Sequence, residues 1–172
     1  MTRLKIVVSD ASVLMDLAKV RLVEATLALP FEFVIPDVIF VQELLDLGAY
    51  TSGDLVRLGF RVGALGPEDA TRAMTYFREH RRHLSLNDCF ALRFAEVYSG
   101  ILMTGDANLR KIAADGGVEV HGTLWAVGLM AQLGTCPGHQ LCTALDILDI
   151  DPLVRLPRDA LRALKARLGG AG

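Results

Sequence analysis

The stretch VVSDASVLMDLAK, residues 7–19, begins as a buried strand and places Asp10 where the apolar run stops. Val7 and Val8 are β-branched residues that suit a buried, pleated strand. Asp10 is a residue that a core rejects unless something pairs with it. Ser12, followed by an apolar face of Val13, Leu14, Leu17 and Ala18, predicts a helix immediately afterwards. A carboxylate therefore stands at the carboxyl end of the first strand, where the chain turns into a helix.

Outward from this stretch, strand and helix signals alternate. Residues 4–9 read as a strand, 11–19 and 21–28 as helices, and 32–35 as a strand ended by Pro36. The run from Asp37 to Leu47 is helical in pattern, with Glu43 in its second turn, and 60–65 reads as a strand after the turn-like Gly59. Pro67 suits the first turn of a helix running to about Glu79. Ser85 opens a helix that carries Asp88 and stops near Gly100. ILMT (101–104) is a strand, 105–106 a turn, the segment from Ala107 a helix broken at Gly116 and Gly117, and VEV (118–120) the last strand. This alternation predicts an α/β fold, a parallel sheet with helices on both faces. Beyond Gly122 the pattern turns helical throughout, with segments at 123–133, 138–147 and 157–168. The expected organisation is a domain over 1–122 and a C-terminal helical extension over 123–172, packed on the domain or on a partner.

The 172 residues suffice for one domain with an ample core, or one domain with a short appendage. With 52% hydrophobic and 22% charged residues the chain is globular in composition and not disordered. A formal charge of -2 argues against a strongly basic nucleic-acid binder, so such a function would rest on a local patch or on metal ions. Cys89, Cys136 and Cys142 form no CxxC pair and leave one odd, which speaks against a disulfide framework and for a reducing cytoplasm. The first strand begins at Leu4, too early for a signal peptide to precede it, and no apolar run is long enough to span a bilayer. The motifs GxxxxGK[ST], GxGxxG and HExxH do not occur, which removes the usual nucleotide and zinc readings.

In an open parallel sheet, ligands bind in the crevice at the carboxyl ends of the strands. Asp10 ends the first strand and Asp106 follows the ILMT strand, so both face that edge; Glu43 and Asp88 lie early in their helices, near it. Four carboxylates converging on one crevice repel each other unless a cation compensates. Mg2+ or Mn2+ suits oxygen ligands, lowers the pKa of bound water and stabilises charge on a phosphate.

The order Asp10 in VVSDAS, Glu43 in VQELLD, Asp88 in LNDCFALRFA and Asp106 in LMTGDANL resembles the PIN domain, the family of metal-dependent ribonucleases that includes VapC-like toxins. Ala11 and Ser12 match the small residue and the Ser or Thr that follow the family's first Asp, and Thr104 matches the Thr before its fourth acid. The resemblance covers roughly residues 4–124, and the segments GTLWAVGLM and VRLPRDALRALKARL are similar to a PIN subgroup of predicted nucleic-acid-binding proteins. It implies a metal-dependent endoribonuclease acting on single-stranded RNA, with Asp10, Glu43, Asp88 and Asp106 as both the metal-holding and the catalytic residues. A role as the toxin of a toxin–antitoxin pair, an antitoxin partner and a homodimer follow from the same resemblance. The alternative is a non-catalytic RNA-binding or protein-interaction module on a PIN fold. Two departures stand out: many VapC-like toxins end near the last strand, and Asn87 stands where many relatives carry a small residue.

Plainer roles stand beside these. Ser85-Leu86-Asn87-Asp88 fits the S-x-x-[DE] capping box, and Asp106 fits the N-cap of the helix after it. Asp37 reads as a helix-start residue, and Asp16 and Asp46 as solvent-side residues. The basic run REHRRH (78–83) suits either the steering of phosphates or a solvated face.

Overall fold

Buried β-branched and aliphatic runs build the sheet. In the computed structural model, which describes residues 5–42 and 47–170, β1 (Lys5–Ser9) carries Val7 and Val8 with no exposed surface. It pairs in parallel with β2 (Phe31–Pro36) on one side and with β4 (Ile101–Met103) on the other. β3 (Arg61–Gly63) extends the sheet beyond β2, and β5 (Glu119–His121) extends it beyond β4. Among the described residues the sheet therefore has five parallel strands in the order β3-β2-β1-β4-β5. Strands buried on both faces read as continuous apolar runs, as ILM of β4 does.

Chain direction across the sheet reverses between β1 and β4, and this sets the position of the site. Right-handed crossovers place helices of the two halves on opposite faces. The β1–β2 crossover holds α1 (Ala11–Lys19) and α2 (Val23–Leu27). α3 (Asp37–Gln42) and α4 (Ser52–Leu58) lie between β2 and β3, and α5 (Pro67–His80) and α6 (Leu86–Val97) lead to β4. α7 (Ala107–Asp115) joins β4 to β5.

The differences from the sequence reading are local. α2 is shorter than 21–28, because Arg21 takes a positive φ of 57° that interrupts the helix. β3 is shorter than 60–65, and β5 lies one residue later than VEV. α4 was absent from the reading, yet Thr51 and Asp54 form a complete capping box at its start. Of the 37–47 helix, the described part is α3; Glu43 and Asp46 lie outside the described residues.

After β5 the chain continues as α8 (Thr123–Leu133), α9 (Gly138–Ile150) and α10 (Arg158–Gly169). α8 packs against α1 and α2, and α9 and α10 pack on each other and on α8. Val127, Met130, Leu141, Leu145 and Leu164 join Leu14 and Leu17 in one buried cluster. Leu161 and Leu164 of α10 are buried and Leu168 half-buried, whereas Ala160 in the first turn is exposed. Arg158 pairs with Asp149 and Lys165 with Asp146, so surface ion pairs fix α10 along α9. Such pairs contribute little, and apolar burial holds these helices. Leu145→Ala is expected to cost about 2–5 kcal/mol in urea unfolding. Ending the chain after Gly122 is expected to uncover Leu14, Leu17 and their neighbours and cause aggregation, read by light scattering.

Candidate functional site

Asp10 leaves β1 at the strand-order reversal, and its backbone N–H donates to the Met103 carbonyl at 3.0 Å, which pins it to the end of β4. Its carboxylate caps α1: the Val13 N–H and the Ser12 hydroxyl donate to Oδ1 at 3.1 and 2.8 Å. Thr104, fully buried, also donates a side-chain hydrogen bond to this carboxylate. Ser12 in turn accepts the Gly105 N–H at 3.2 Å. A Cβ on Gly105 would stand 3.2 Å from Ser12 Oγ, so glycine permits the β4–α7 turn to approach α1 closely.

Asp106 caps α7, accepting the Leu109 N–H on Oδ1 at 2.8 Å, while its own N–H donates to Thr104 Oγ1 at 3.0 Å. Asp88 forms the expected capping box of α6: its Oδ2 accepts the Ser85 N–H at 2.7 Å, and its N–H donates to Ser85 Oγ at 3.1 Å. The same three residues thus cap helices and stand on a cavity wall. Asp10, Asp88 and Asp106 each sit at a helix N-terminus, and all three line one cavity of about 300 Å³. The partial positive charge of each helix end favours a carboxylate there.

Glu43 lies outside the described residues. Among the described residues, no group of three or more His, Cys, Asp or Glu stands close enough together to hold one ion directly. Asp16, read from the sequence as solvent-side, instead lines the cavity and accepts the Thr123 hydroxyl at 3.1 Å. The signal for it was its spacing of four residues from Ser12, which puts both on one face of α1. Arg155, in the α9–α10 connector, also lines the cavity and was not singled out by the sequence. The basic run 78–83 forms the end of α5 and the turn after it, and none of it lines the cavity.

Burial pushes the Asp10 carboxyl up to about 6, and the nearby Asp88 charge adds to this; hydrogen bonds from Thr104, Val13 and Ser12 act in the opposite direction. Burial also raises Asp16, against the Thr123 bond and the Lys19 charge.

The fold and the site together define an α/β protein with an acidic crevice at the switch point of a parallel sheet. A family model described as DUF3368, PIN domain, matches residues 6–169, and the chain belongs to that family. The match runs through α8, α9 and the whole of α10. Among solved structures, a PilT N-terminus domain protein from the archaeon Sulfolobus solfataricus P2 is similar at 13% identity and a TM-score of 0.50, covering 73% of this chain and 92% of that one. A toxin-antitoxin complex from Klebsiella pneumoniae is similar at 23% identity and a TM-score of 0.45, covering 58% of this chain and 88% of that one. No curated protein matches significantly. Among the described residues, no helix is long and apolar enough to cross a membrane.

The raised Asp10 predicts a stability signature. Its folded value of about 6 lies above the ordinary 3.8, so the fold favours the protonated form. That contribution is fully present below pH 3.8 and is lost as pH rises through about 6, a change of roughly 3 kcal/mol. In metal-free buffer, Asp10→Asn is expected to raise the Tm near pH 8 and to give little or no gain near pH 4, measured by thermal unfolding at both pH values.

Proposed function

We propose that this PIN domain is a Mg2+- or Mn2+-dependent endoribonuclease that hydrolyses phosphodiester bonds in single-stranded RNA. The observation that carries this reading is the convergence of Asp10, Asp88 and Asp106 on one cavity at the carboxyl edge of the sheet. Asp10, Glu43, Asp88 and Asp106 are the proposed holders of the cation and the catalytic residues. The residues fit a hard divalent ion. Their donors are carboxylate oxygens, and the helix caps use Oδ2 of Asp88 and Oδ1 of Asp106; among the described residues no hydrogen bond falls on the other oxygen of either. Mg2+ retains several waters and takes only one or two carboxylates directly, which suits acids spread around a cavity better than a tight cage. When bound, the ion would supply an activated water and stabilise charge on the phosphate.

The chain's own groups provide the orientation. Ser12 and Thr104 hold the Asp10 carboxylate, and the Asp10 N–H to Met103 bond holds its backbone. Thr123 holds Asp16 at the cavity wall. From the family resemblance, the proposed partners are RNA, an antitoxin and a second copy of the chain; from the cysteine pattern, the proposed setting is the cytoplasm. The second reading is a non-catalytic RNA-binding or protein-interaction module on the same fold.

Asparagine separates the two roles of these residues, because it keeps a cap while removing the charge. Wild-type protein is expected to cut single-stranded RNA only with Mg2+ or Mn2+. Asp10→Asn and Asp88→Asn are each expected to lower the rate about 100-fold or more, with the fold intact by circular dichroism. Cleavage undiminished in both variants, or indifferent to chelation, would contradict the reading. No cleavage of any RNA would favour the non-catalytic module.

A further inference from the structure

The acidic cavity does not end at Asp106. Gly105, Asp106 and Arg155 also line a second cavity, of about 800 Å³, which opens along α7, the start of α8 and the α9–α10 connector. This volume falls within the roughly 300–1,000 Å³ of ordinary ligand sites. Its chemistry is the reverse of its neighbour's, since Arg110, Lys111 and Arg155 all line it. Among the described residues none of these three is ion-paired, whereas Lys5, Lys19, Arg93 and Arg158 all have carboxylate partners.

Arg110 is held in place. Its Nη2 donates to the Thr104 carbonyl at 3.0 Å, and the guanidinium lies over Gly122, where a Cβ would come within 2.6 Å of Nη2. The same wall carries an aromatic platform: the His121 and Trp125 rings stack in parallel, 4.3 Å apart and inclined by 4°. Phe31 supports Trp125 from β2, with ring centroids 5.6 Å apart. Cations that track a backbone beside flat rings that accept bases are the recognition elements of single-stranded nucleic acid.

We propose that this second cavity binds the nucleotides flanking the scissile phosphate of a single-stranded nucleic acid, with Lys111, Arg155 and Arg110 on its phosphates and a base stacked at the His121–Trp125 platform. The inference rests on the nuclease reading for its direction, because the shared residues Asp106 and Arg155 join the two cavities. It also assigns the C-terminal helices a role in substrate binding, since Trp125 and Arg155 both follow β5. A duplex would present its backbone but not free base faces, so the platform selects a single strand.

Binding can be measured apart from cleavage, using the full-length Asp10→Asn protein in EDTA. A fluorescein-labelled oligoadenylate of about ten nucleotides is the probe, read by anisotropy. Lys111→Ala and Arg155→Ala are each expected to weaken binding about fivefold or more at low salt and to reduce the salt slope by about 1. His121→Ala is expected to weaken single-strand binding about fivefold or more while leaving the weaker duplex binding unchanged. The sequence has one tryptophan, so its emission reports on Trp125 alone and is expected to change as unlabelled oligoadenylate saturates the site. Affinity unchanged in all three variants, with Trp125 emission unaltered, would overturn the proposal even if the wild type cleaves RNA. Equal affinity for a duplex of the same length would also overturn it. Conversely, binding through these residues without any cleavage would uphold the cavity's role and count against the nuclease reading.

Discussion

Burial of the Asp10 carboxylate at the end of the central strand is the constraint that organises this structure. A charge in that position is costly unless it is compensated. The chain surrounds it with the Val13 N–H, the Ser12 hydroxyl and Thr104, and anchors its backbone to Met103. These donors do not fully offset the burial, and the carboxyl still rises to about 6. The same groups draw neighbouring elements together: Ser12 receives Gly105, Thr104 receives Asp106, and Thr104 donates its backbone N–H to His121. The ends of β1, β4 and β5 are thereby joined around one acid. A site kept at the expense of stability in this way is characteristic of function.

Much of this was legible in the sequence. The parallel sheet followed from Val7 and Val8 and from ILM (101–103), which are apolar on both faces, and from helical runs between them. Asp10, Asp88 and Asp106 were legible because each stands at a strand–helix or loop–helix boundary, where a carboxylate has both a local role and a view of the sheet edge. Glu43, singled out on the same grounds, lies outside the described residues and remains a proposal.

What escaped the sequence reading depends on contacts between distant segments. Asp16 is drawn to the cavity by Thr123, which lies 107 residues further along the chain. Arg155 is brought there by the α9–α10 connector, whose Asp151 pairs with Lys19 at 2.6 Å. Trp125 reads as one more residue in the apolar run TLWAVGLMAQL; its stacking on His121 arises from the β5–α8 turn. α4 is a short helix that starts with Ser52 and Gly53, poor helix formers, and its sequence signal is the capping-box spacing of Thr51 and Asp54. The segment after β5 therefore does more than cover α1: its α9–α10 connector lines both cavities, and α8 and α10 line the second.

The central claim is that these capped carboxylates form a divalent-cation site. Titrating Mn2+ into the full-length protein at neutral pH, with free ion followed by electron paramagnetic resonance, tests it most directly. Saturable uptake is expected in the wild type, weakened about 10–100-fold by Asp10→Asn and abolished when Asp88→Asn and Asp106→Asn are added. Absence of uptake by the wild type, or equal uptake by the wild type and the triply substituted protein, would contradict the account.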